Sequence, residues 1–165
     1  MNTRPKLCPP KKRGDRFLEA IAISGVLFGI ILIFQAWSSL PATIPIHFDA
    51  VGNPDGYGSK AMIWLLPAIN LVMIPAMLFI RRFPWLSNIP IEVTEENAAY
   101  QYGLIVRLLS LLACFVSLLF LTLVYDTISI AGGGTSLLGW TFMPIFIAAM
   151  TVPIIWYFIA ALKGR

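Results

Sequence analysis

Charge is scarce in this sequence. Lysine, arginine, aspartate and glutamate make up 12% of its 165 residues, against about 25% in an ordinary globular domain. With 58% hydrophobic residues and a mean hydropathy of +0.81, a water-soluble fold has too few charges to cover its apolar surface. Cysteine and histidine are scarcer still: Cys8, Cys114 and the single His47. Cys8 stands in a basic tail and Cys114 inside an apolar run, so a bilayer holds them at different depths. That excludes a disulfide framework or a cysteine-based zinc cluster. No serine or cysteine forms a nucleophile motif beside His47, so no catalytic residue is assigned and the chain is not read as an enzyme.

What is abundant is hydrocarbon in long runs. A helix needs about 20 apolar residues to cross the bilayer core, and four segments qualify: 17–37, 61–80, 104–125 and 140–162. The expected fold is an all-α integral membrane protein, with a basic tail over 1–16 and one four-helix domain over 17–165. Prolines at 67, 75, 144 and 153 predict bends in the second and fourth spans, which membranes tolerate where neighbours re-satisfy the freed carbonyls. Trp37, Trp64, Trp85, Trp140 and Trp156 fall near span ends, as an interfacial belt requires.

Basic residues predict the direction. Arg4, Lys6, Lys11, Lys12, Arg13 and Arg16 precede the first span, Arg81 and Arg82 follow the second, Arg107 begins the third, and Lys163 and Arg165 follow the fourth. The other two loops hold only Lys60. The positive-inside rule then puts both termini and the middle loop in the cytoplasm. The first apolar run is longer than the core of a cleaved signal peptide, and the segment after it is a poor cleavage site, so it reads as an uncleaved anchor. The net charge of +4 reflects this topology and anionic lipid, not nucleic acid.

Small residues mark helix contacts. Gly25 and Gly29 lie one turn apart in the first span, and Ser110, Cys114 and Ser117 recur at similar spacing in the third. Such residues let backbones approach closely, within the bundle or across a dimer. Polar groups in or near the spans are few: Gln35, Asn70, Arg107 and Asp126. Arg107 and Asp126 stand near opposite ends of the third span, where snorkelling accounts for them. Asp15 and Glu19 suit the start of the first helix. Thr94 with Glu95 and Glu96 reads as a helix start, giving a third helix that projects from the membrane, rimmed by Tyr100 and Tyr102.

The first outer loop, IPIHFDAVGNPDGYGSK over 44–60, is expected to be ordered. Ile44, Ile46 and Phe48 alternate with His47 and Asp49, as on an extended strand. NPDG from Asn53 to Gly56 matches a type I turn with Pro54 at its second position. Gly52 and Gly58 tolerate positive φ, and Ser59 is placed to cap the next helix. His47, Asp49 and Asp55 are the candidate ligands for a divalent cation. The competing reading has Asp49 orienting His47 and capping a turn while Asp55 serves NPDG. No other cofactor is expected.

The stretch LPATIPIHFDAVGNPDGYGSK closely resembles the signature of a domain of unknown function (DUF 1648). That domain stands at the N-terminus of SdpI-type immunity proteins of bacterial membranes, which protect against a secreted toxin. The matching positions are Pro41, Pro45, His47, Asp49, Gly52, Asp55, Gly56, Gly58 and Lys60. SdpI-type proteins continue into a second membrane domain, whereas here one further span follows the matched region. The resemblance implies a bacterial inner-membrane protein with an ordered external loop, and it carries no activity across. The sequence thus points to an interaction protein: an accessory subunit of a larger membrane complex or an immunity or sensor relative. Its expected partners are the lipid bilayer and a membrane protein or a second copy. The alternative is a metal- or ligand-binding membrane protein built on His47 and Asp49.

Overall fold

The computed structural model describes residues 4–164; residues 1–3 and Arg165, the last basic residue after the fourth span, lie outside the described residues. Among the described residues, four helices are long and apolar enough to cross a membrane: Arg13–Ala36, Lys60–Ile80, Ala98–Ala131 and Phe142–Lys163. The first is α1. The second opens as a 3-10 turn over Lys60–Trp64 and continues as α2, Leu65–Ile80. The third and fourth are α3 and α4. One element departs from an all-α reading: Thr43–Phe48 (β1) and Pro54–Ser59 (β2) pair as an antiparallel hairpin between α1 and α2.

α3 is the spine. It packs along α1, against α2 and against α4, while α4 rests chiefly on α3. The approach of α1 to α3 is set by small groups. The Ser117 hydroxyl donates to the Ala22 carbonyl at 2.6 Å, and a Cβ on Gly25 would stand 2.5 Å from Ser117 Oγ. Gly29 is less constrained, since its nearest neighbour, Leu121, would lie 3.9 Å from an added Cβ. Cys114 is buried in the same helix, and Cys8 is exposed and free. Pro67 and Pro144 fall in the first turn of their helices, where little hydrogen bonding is lost, leaving Pro75 and Pro153 in the interiors.

The start of α3 is enclosed by other parts of the chain. Thr94 and Asn97 cap one another, the Thr94 amide donating to Asn97 Oδ1 at 2.9 Å and the Asn97 amide to Thr94 Oγ1 at 3.4 Å. Tyr102 is fully buried and donates its hydroxyl to the Pro5 carbonyl at 2.9 Å. Gln101, also buried, donates to the carbonyls of Ala161 and Gly164 at 3.1 and 2.9 Å, which satisfies the free carbonyls at the end of α4. The N-terminal tail, the start of α3 and the end of α4 therefore meet at one end of the bundle. Only Tyr100 of the expected rim keeps substantial exposure. Gln35 faces outward, so it is not one of the buried polar groups, whereas Asn70 is buried.

Candidate functional site

The hairpin is built from its sequence in a way that redistributes the expected roles. Ile44 is buried with Ile33, Leu40, Ile63 and Val124, which seats the start of β1 on the helices. Pro45 is buried beside it, and Ile46 is half exposed. The strand therefore does not present a simple alternation, because its register with β2 is interrupted on both sides of His47. Gly56 and Gly58 lie beneath β1 side chains: a Cβ on Gly56 would stand 2.9 Å from His47 Cβ, and one on Gly58 would stand 2.7 Å from Ile46 Cδ1.

The reversal of the chain occurs at Asp49–Gly52, not at NPDG. The Gly52 amide donates to the Asp49 carbonyl at 3.0 Å, and the Asp49 amide donates to the Asn53 carbonyl at 2.9 Å. Asp49 Oδ1 accepts from the amides of Val51 and Asn53 at 2.9 and 2.8 Å. An aspartate at the head of a turn competes well for such amides, and here it wins over the Asn-Pro signal. Pro54 instead begins β2, where its missing N–H is tolerated. The amide of Asn53, with a smaller part from its side chain and from Val51, holds the Asp49 carboxyl below the usual range.

His47 and Asp55 come together: Nδ1 lies 2.5 Å from Oδ1, with both side chains largely exposed. Asp49 is engaged with turn amides, so the three candidate ligands do not converge. Among the described residues no three His, Cys, Asp or Glu side chains are grouped to hold a metal ion.

Both ends of the hairpin are clamped. Ser59 Oγ accepts from the Ala61 amide at 3.4 Å, starting the next helix. Lys60 reaches back to the end of α1, donating from Nζ to the Trp37 carbonyl at 3.2 Å and sitting 4.7 Å from the Trp37 ring centroid. A lysine at a helix C-terminus opposes the negative end of the helix dipole, and the ring adds a cation–π attraction. At the far end, Gly52 has φ +84°, and its backbone lies so close to Leu138 that a Cβ would overlap the Leu138 carbonyl. The hairpin turn thus rests on the α3–α4 loop.

Asp126 shapes that second loop. It is completely buried and accepts from the Ser136 hydroxyl at 2.8 Å and the Leu137 amide at 2.5 Å. Snorkelling is replaced by a structural task, because a loop that must dock on Gly52 needs its amides satisfied.

A second polar cluster lies at the other end of the bundle. Arg81 is 2% exposed; Nη2 pairs with Glu19 at 2.6 Å and Nη1 donates to Ser110 Oγ at 2.8 Å. Glu19 also pairs with Lys11 at 3.0 Å. Arg107 Nε pairs with Asp15 at 2.6 Å, and Asp15 is buried. Arg81, Glu19, Arg107 and Asp15 were legible as helix-start acids and loop or span-end bases. Their pairing across α1, α2 and α3 was not, since the partners are 62 and 92 positions apart.

Residues 25–71 match the model of a domain of unknown function (DUF1648). The match runs from the Gly25 contact with α3 through the hairpin into α2. An uncharacterized protein of the archaeon Archaeoglobus fulgidus is 26% identical over 144 residues, covering 78% of each chain. No solved structure matches.

Proposed function

We propose that this chain, whose residues 25–71 match the DUF1648 model, is a membrane interaction protein whose outer hairpin is its recognition element. The supporting observation is a hairpin fastened at Lys60 and Gly52 that still exposes Ile46, Val51 and Tyr57 around the His47–Asp55 pair. Binding elements on a clamped scaffold lose little entropy when a partner docks. An exposed outer backbone edge of a two-stranded sheet also offers hydrogen bonds to an added strand. In this reading the hairpin faces the outside of the inner membrane and both termini face the cytoplasm, as the distribution of lysine and arginine favours. The partner is a subunit of a larger membrane complex; a secreted toxin met by an immunity or sensor relative is the competing form of the same role.

Two experiments on the full chain in its native membrane test it. A photo-crosslinking amino acid at Tyr57 is expected to capture a protein partner, while the same probe at Val72, on the lipid-facing side of α2, captures none. Mild-detergent extraction followed by native separation and mass spectrometry is expected to show co-migration with the captured species. Migration alone, with no adduct at Tyr57, would overturn the proposal.

A further inference from the structure

At the end of the bundle that carries the termini, a cavity of about 620 Å³ opens between the N-terminal tail, the first turns of α3 and the last turns of α4. Its lining combines two chemistries. The cations are Lys11, Lys12 and Arg107, and the large apolar side chains are Leu104, Leu111 and Trp156. The carboxylate in the cavity, Asp15, is already spent on Arg107 Nε and the Lys12 amide. Lys11 is likewise occupied by Glu19. Lys12 is exposed. The terminal amino groups of Arg107 lie over Gly14, 2.8 and 3.2 Å from where a Cβ would stand, at the first turn of α1. A helix N-terminus adds a favourable potential for an anion at the same spot.

We infer that this cavity is a binding site for an anionic glycerophospholipid, its phosphate held by Lys12 and Arg107 and an acyl chain laid along Leu104, Leu111 and Trp156. A free phosphate would use the cations alone and leave the apolar lining uncovered, so the two-part chemistry selects a lipid. Asp15 is a positioning residue: by holding Nε it orients the guanidinium before the ligand arrives. Gly103 lines the same cavity, and a Cβ there would meet nothing within 4 Å.

The test uses the full chain in detergent, mixed with phosphatidylglycerol and phosphatidylcholine of equal chain length, and read by native mass spectrometry. One phosphatidylglycerol per chain is expected to be retained in preference to phosphatidylcholine. Lys12→Ala lowers that preference about five-fold, the worth of one lysine near an anionic surface. Gly103→Leu puts a large side chain into the cavity, one helical turn from Arg107, and is expected to remove the retained lipid. In a separate arm inorganic phosphate is offered in excess and is expected neither to be retained nor to displace the lipid. Equal retention of the two lipids, an unchanged preference in Lys12→Ala, or displacement by phosphate would each overturn the assignment. Lys12 is exposed, so that variant remains decisive even if Gly103→Leu misfolds.

Discussion

Arg81 and Glu19 form an ion pair of 2.6 Å in which the arginine is buried and the glutamate keeps a second partner, Lys11. The asymmetry makes the two halves of the pair unequal. Glu19→Gln leaves a buried guanidinium without its counter-charge, a defect that costs about 3 kcal/mol or more. Arg81→Met leaves Glu19 with Lys11 and replaces the arginine stem by an apolar one of similar length. Reversible unfolding in mixed micelles should therefore rank Glu19→Gln as the less stable variant; the opposite order would mean that Lys11 contributes nothing.

Gly52 and Gly133 both have positive φ, +84° and +83°, but only Gly52 is pressed against another loop. Gly133→Ala pays the backbone term alone, about 1 kcal/mol. Gly52→Ala adds a steric overlap with the Leu138 carbonyl and should lift the hairpin from the α3–α4 loop. Limited proteolysis of the two variants distinguishes them: the 44–60 segment becomes sensitive in Gly52→Ala and stays protected in Gly133→Ala.

The Asp49 carboxyl is held below the usual range, chiefly by the Asn53 amide. A depressed folded-state value means that the unfolded hairpin binds the proton first, so the stabilisation is present above the unfolded value of about 3.9 and is lost as pH falls through the folded one. Amide exchange at Val51 and Asn53 should stay slow near neutral pH and accelerate, beyond the intrinsic pH trend, only below about pH 4. Asp49→Asn should flatten that extra acid response, and a response unchanged in the variant would assign it to another group.

Lys60 joins the start of the second span to the end of the first through the Trp37 carbonyl and ring. Lys60→Met keeps the stem and removes both charge interactions, for an expected loss of about 1 kcal/mol. Lys60→Arg should recover part of it. Intrinsic fluorescence compared with a Trp37→Phe background reports the change at that ring.

How much of this was readable beforehand differs from one residue to the next. The four spans follow from apolar run length, a property of consecutive residues, and the helix-start signals at Ser59 and Thr94 are equally local. The hairpin's turn was misplaced because Asn-Pro-Asp-Gly and Asp-Ala-Val-Gly are both workable turns four residues apart. The choice fell to Asp49, whose carboxylate captures two amides, and to the fit of Gly52 on Leu138.

The polar residues show the same division. That Asp15, Glu19, Arg81, Arg107 and Asp126 stand near span ends is written in the chain. Which of them is buried, and against what, is not. Arg81 is a loop-end cation by position and a buried link by packing, because α1 and α3 close around it with Glu19 and Ser110. Asp55 meets His47 because strand pairing, with its interrupted register, carries it there. Hydrophobicity along the chain determined which segments are long and apolar enough to cross a membrane; the packing of those segments decided the charge partners, since a charge withdrawn from water is tolerated only where another group has been brought within reach.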